Sequence, residues 1–172
     1  PSVNNSQPWK MIAVTNKDLL NRMASAVKKK IAQLLPETTE DILEARRKVE
    51  WFSTFFADAP AVFVIISLPY EAVVDSALSK VNLTHEQINA MRGHPDVQSI
   101  GALVQTLLLA ATDMGYSACW LSGPVVARED LEKILGVPES GKVAAMVAVG
   151  KAAADVKQKE KKPLSDVFEI RS

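Results

Sequence analysis

Few residues in this chain could do chemistry with their own side chains. It holds one cysteine, Cys119, and two histidines, His85 and His94. That is too few for a standard structural zinc site, and no paired metal-ligand spacing is present. No G-x-x-x-x-G-K-[ST] or G-x-G-x-x-G loop offers a phosphate cradle, and no G-x-S-x-G offers a hydrolase nucleophile. Cys119 lies between small and aromatic residues in a strand-like stretch and reads as a packed core thiol. His85 reads as a solvated residue at a helix start, and His94, before a proline, as a loop residue. If the chain is an enzyme, a cofactor carries its chemistry. Two polar stretches remain. "PSVNNSQP", residues 1–8, stands directly before the apolar "WKMIAV", and "KQKEKK", residues 157–162, precedes Pro163. Taken alone, the first is a turn before an edge strand and the second a solvated charge run.

The elements that must position these residues follow from periodicity. Trp9–Thr15 is apolar and β-branched and predicts a strand. Leu20, Met23, Val27, Ile31 and Leu34 keep the spacing of one helix face, which Pro36 ends. Thr39 can cap a second helix with Ile42, Ala45, Val49, Phe52 and Phe56 on a single face. "PAVFVII" predicts a buried strand. Residues 69–95 predict one or two short helices followed by the loop "RGHPD". Pro95 and Asp96 open a long helix lined by Val97, Ile100, Val104, Leu107, Leu108 and Ala111, with Gly115 as its stop. "YSACWL" predicts another short buried strand, "AREDLEKILG" an amphipathic helix, and "KVAAMVAVG" a last core strand. Trp51 and Trp120 are expected in the core or an interface. Beyond Gly150 the tail has no clear period.

The 172 residues suit one domain, 1–172, with no repeat or linker at which to divide it. Strands alternating with a majority of helices imply a sheet sandwiched by helices, α/β or α+β. Lys plus Arg and Asp plus Glu balance at 20 each. That balance gives no support for nucleic-acid or anionic-membrane binding. The longest apolar run is too short for a membrane-spanning helix. A single cysteine suits a reducing compartment, so the expected location is the cytoplasm.

Four segments, in order, resemble the nitroreductase family of FMN-dependent oxidoreductases. "PSVNNSQPW" is similar to that family's P-S-x-x-N-x-Q-P-W. "DVQSIGALVQTLLLAATDMGYSACWLSG" resembles its central dimer helix and the strand and turn that follow. "LEKILGVPESGKVAAMVAVGKA" resembles its L-x-x-x-L-G-[IV]-P helix end and last core strand, and "KQKEKKPLSDV" its basic C-terminal strand. Within residues 17–96 only "ADAPAVFVII" matches.

The resemblance implies an α+β three-layer sandwich, a mostly antiparallel sheet between helices, in an intertwined homodimer. It implies FMN at the dimer interface and hydride transfer from NAD(P)H to a small acceptor such as a nitroaromatic or quinone. Pro1, Ser2, Val3 and Asn5 match positions that reach the flavin from the partner subunit. Leu121, Ser122 and Gly123 match the turn beside the isoalloxazine ring, and Lys159 and Lys161 the pair that holds the phosphate, with Lys162 as a substitute one register away. No residue is assigned a catalytic or metal-binding role. Three departures stand beside this. The family's basic R-R-S-x-R motif would lie before Pro1, which leads to the expectation that a segment precedes this chain. "GKAA" replaces the usual Gly-Tyr-Pro, and the middle region is short. The missing motif leaves a second reading open, a non-enzymatic member that binds a planar ligand or serves as an interaction scaffold.

Overall fold

Side chains alternate across a strand, so an apolar run with no polar alternation needs cover on both faces. Ala61–Ser67 (β2) and Lys142–Gly150 (β4) are such runs. The computed structural model, which describes residues 1–154 and 159–171, makes them the two central strands of a four-stranded sheet. Trp9–Val14 (β1) pairs with β2 and Ser117–Leu121 (β3) with β4, giving the order β1-β2-β4-β3 with every neighbour antiparallel. The register slips once between β2 and β4, at Ile65/Ile66 opposite Ala145 and Val143.

On one face lie Lys17–Leu34 (α1) and Arg128–Leu135 (α6). Asn16 caps α1, its side chain accepting from the Leu19 amide at 2.8 Å, and the helix buries the Leu20, Met23, Val27 and Ile31 stripe that the spacing predicts. These side chains meet Val62, Val64, Met146 and Leu131 in the larger core. On the opposite face lies Pro95–Asp113 (α5), whose Ile100 and Val104 close a smaller core over Ile65, Ala145 and Val147. The arrangement is the expected α+β sandwich, a helix layer on each side of an antiparallel sheet. Glu40–Thr54 (α2) packs beside α1, and the short helices Val73–Leu78 (α3) and His85–Met91 (α4) bridge β2 to α5.

Three expectations are corrected. The Ala45–Val49–Phe52 face of α2 does not meet the core: Val49, Trp51 and Phe52 are exposed, and the helix buries Ser53 and Thr54 instead. Small residues are needed there because α2 passes tightly against the turn at Gly123, and Phe56 reaches the core from a separate 3-10 turn, Phe55–Asp58. Second, β3 is an edge strand, so Cys119 and Trp120 are exposed in this chain; the thiol is not a packed core group. Third, described residues 159–171 form coil and one 3-10 turn at Leu164–Asp166, not a strand. A strand needs an edge to pair with, and among the described residues none of this chain's edges receives residues 159–171.

Candidate functional site

The polar stretch before β1 folds into a fixed loop. Val3–Asn5 make a one-turn 3-10 helix, and three non-glycine residues take left-handed backbone: Asn4 (φ 48°), Asn5 (φ 54°) and Gln7 (φ 49°). Asn tolerates this region because its short side chain can satisfy backbone locally. Local bonds hold the shape. The Ser6 hydroxyl donates to the Val3 carbonyl (2.6 Å), the Gln7 amide donates to Ser2 Oγ (3.0 Å), and the Gln7 side chain donates to the Asn5 carbonyl (3.2 Å).

One side-chain hydrogen bond ties the loop to α5. The Val3 N–H donates to Ser99 Oγ at 3.0 Å, and that hydroxyl, 4% exposed, donates onward to the Pro95 carbonyl at 2.6 Å. Ser99 lies on the first turns of α5, so the helix that closes the smaller core also sets the height of the N-terminal loop. Between the loop and α5 lies a cavity of about 460 Å³, lined by Pro1, Ser2, Val3, Arg92, Gln98 and Ser99 among others. Its lining contains no carboxylate, imidazole or thiol.

Arg92 enters this cavity from a polar knot in the region that has least sequence pattern. Its Nη1 donates to Asp75 Oδ2 at 2.7 Å, and the other Asp75 oxygen stands 3.0 Å from His85 Nδ1. That oxygen is fully buried and forms no hydrogen bond, with His85 Nδ1 its nearest basic group. Beside the pair, Tyr70 donates to Asn89 Oδ1 (2.8 Å) and Asn89 Nδ2 donates to Asp96 Oδ1 (2.9 Å). Burial, and after it the Asp75 charge, raise the Tyr70 phenol above its ordinary pKa. The knot therefore clamps α3, α4 and the start of α5 together by hydrogen bonds where apolar packing is sparse.

The second candidate segment sits at the end of β3. The Leu121 side chain is buried in the larger core, leaving only its backbone to face a ligand, while Ser122 is exposed. Gly123 begins a 3-10 turn through Ala127. A Cβ on Gly123 would come within 2.6 Å of Ser53 Oγ, so this glycine is needed for the approach of α2 whatever else it admits.

The family profile of the nitroreductases matches residues 1–151. The chain belongs to the nitroreductase family. Among its relatives is a protein of Archaeoglobus fulgidus with the provisional name NADH dehydrogenase/NAD(P)H nitroreductase, 27% identical over 154 residues, or 87% of this chain. The chain spans 64% of that relative's length. Among solved structures, it resembles a BluB-like flavoprotein of Clostridium difficile 630 at a TM-score of 0.87, 24% identity, all of this chain and 83% of the other. It also resembles a nitroreductase with bound FMN from Desulfitobacterium hafniense DCB-2 at a TM-score of 0.68, 24% identity, with 99% and 80% covered. At these identities the structures establish the nitroreductase fold.

Within this nitroreductase-family chain the sequence-derived site residues do not converge. Pro1, Ser2 and Val3 line the cavity and Asn5 continues their loop, but Leu121, Ser122, Gly123, Lys159 and Lys161 line no part of that cavity. Lys159 and Lys161 are exposed in coil. Sequence reasoning missed Ser99, Arg92 and Gln98. A serine one turn into a helix looks like ordinary capping chemistry, and nothing local announces a partner 96 positions away. Among the described residues no cluster of metal-ligating side chains occurs, and no helix is long and apolar enough to cross a membrane.

Proposed function

We propose that this chain is the flavin-binding unit of a homodimeric, FMN-dependent oxidoreductase that uses NAD(P)H to reduce a small oxidised acceptor such as a nitroaromatic or a quinone. The observation that carries this reading is the Pro1–Asn5 loop: polar, held in left-handed backbone, pinned by Ser99 and opening on a cavity. Strained backbone that is over-determined by its surroundings is typical of ligand clamps. Family membership over residues 1–151 gives the loop its expected ligand.

The donor set fits that ligand. The exposed side-chain amides of Asn4 and Asn5 and the loop backbone suit the nitrogen and oxygen edge of an isoalloxazine. Ser122 and the backbone of Leu121 and Gly123 would lie beside the ring, and Lys159 and Lys161 would hold the phosphate as point charges. When bound, FMN would supply the hydride chemistry. The protein's part is to position the ring, admit the acceptor and exclude competing water, which agrees with a cavity lining that lacks acid–base groups. A second copy supplies the segments that one chain keeps apart. Its docking would also cover Leu109, Met114 and Trp120, which one chain leaves 61%, 70% and 46% exposed.

The test is direct. Purified protein titrated with FMN should acquire protein-bound flavin absorbance and then oxidise NADPH or NADH in the presence of a nitroaromatic or quinone. A colourless protein that leaves the spectrum of added FMN unchanged would defeat the reading.

A further inference from the structure

The cavity beside the N-terminal loop has a single charged side chain in its lining among the described residues, and that side chain is Arg92. It is only about a quarter exposed, and Asp75 holds it in place. A guanidinium has five N–H donors in a rigid fork, and Asp75 takes one, through Nη1. Because Asp75 already holds the group, a ligand that met its remaining donors would not have to meet the cost of ordering it. The first turn of α5, at Pro95, shares that wall, and its own carboxylate, Asp96, is bonded to Asn89. Asn4, Gln98 and Ser2 supply neutral polar groups and no competing anion.

We propose that Arg92 is a specificity-determining residue and that the cavity takes the carboxylate of a small oxidised acceptor, held by charge-assisted hydrogen bonds with the reducible group directed toward the flavin. The cavity's volume of about 460 Å³ is within the range of small-molecule sites. The flavin's own phosphate is the other anion to consider. On the flavin reading, however, Pro1–Asn5 approach the ring and Lys159 and Lys161 the phosphate, so the cavity adjoins the ring end, where an acceptor must bind. The inference rests on that reading.

The experiment compares 4-nitrobenzoate with 4-nitrobenzyl alcohol as acceptors for the FMN-loaded protein. Arg92→Gln should raise KM for the carboxylate about tenfold more than for the alcohol, and Arg92→Lys should recover part of the difference. Because Arg92→Gln also leaves Asp75 without its partner, a second variant places the charge differently. Ala102→Asp, in the α5 wall of the cavity, should raise KM for 4-nitrobenzoate relative to 4-nitrobenzyl alcohol with Arg92 intact. Equal changes for both acceptors, or no change in either variant, would overturn the proposal. So would a loss in Arg92→Gln of the preference for FMN over riboflavin, which would move Arg92 to the phosphate. If wild type binds no flavin, the flavin reading fails by itself. Calorimetric binding of 4-nitrobenzoate to wild type and to Arg92→Gln then still decides whether Arg92 holds a carboxylate.

Discussion

The two faces of the sheet are built to different standards. On the α1/α6 face Leu20, Met23, Val27, Ile31, Phe56, Leu131 and Met146 are all at most 2% exposed, and the turn after β3 seals the layer. On the α5 face the fully buried set is small, and Trp9, Phe63, Leu107 and Val149 are only partly covered. The same helix leaves Val97 and Leu109 more than 60% exposed. The loop, the cavity and Arg92 all belong to this looser face. A closed core tolerates no vacancy, so the chain keeps its chemistry where side chains can still meet a ligand or a second chain.

That contrast can be broken, and the largest effect should come from the closed face. Phe56→Ala should cost about 3–5 kcal/mol in urea unfolding, because neighbours from α1 and the sheet cannot collapse into the space. A loss under about 1 kcal/mol would mean that the face is not the rigid body described. Next in size is Gly123→Ala, where the new methyl would meet Ser53 Oγ. A loss of about 1–3 kcal/mol is expected, with part restored by adding Ser53→Ala.

Ser99→Ala probes the junction of the loose face with the loop. It removes the acceptor of the Val3 N–H and should lower stability by about 1 kcal/mol. It should also weaken FMN about tenfold, with Ser99→Thr keeping most of the affinity. Equal FMN affinity in Ser99→Ala would show that the pin is not what shapes the loop. The smallest effect should be Leu109→Ala, within about 0.5 kcal/mol if that surface meets only water. A loss as large as that of Phe56→Ala, growing with dilution, would show that a second copy buries α5 in solution.

Much of the fold was legible because two periods, two for strands and 3.6 for helices, run through long apolar segments. β2, β4, α1 and α5 are each long enough for the pattern to outvote local noise. α2 was misjudged because amphipathic spacing says which residues share a face, not which face the tertiary structure turns inward. Its apolar side faces out, and Ser53 faces in to fit Gly123. Cys119 was misjudged because β3 has an apolar composition but only one neighbour in the sheet. The α3–α4 region was opaque because side-chain hydrogen bonds hold it, and those have no sequence period.

The candidate site divides in the same way. Residue types alone singled out the Pro1–Gln7 stretch, since Pro, Ser and Asn crowded before a strand require a turn and carry donors. They also gave little support for side-chain nucleophiles or metal clusters as the source of chemistry. That Ser99 pins the loop and that Arg92 opposes it across a cavity depended on folding, which closes about 90 residues of chain to bring two distant segments together. Sequence determines what each segment can bond and bury. Only the packed chain decides which of those bonds is made, because the partners are chosen by the sheet order and by the helix laid across it.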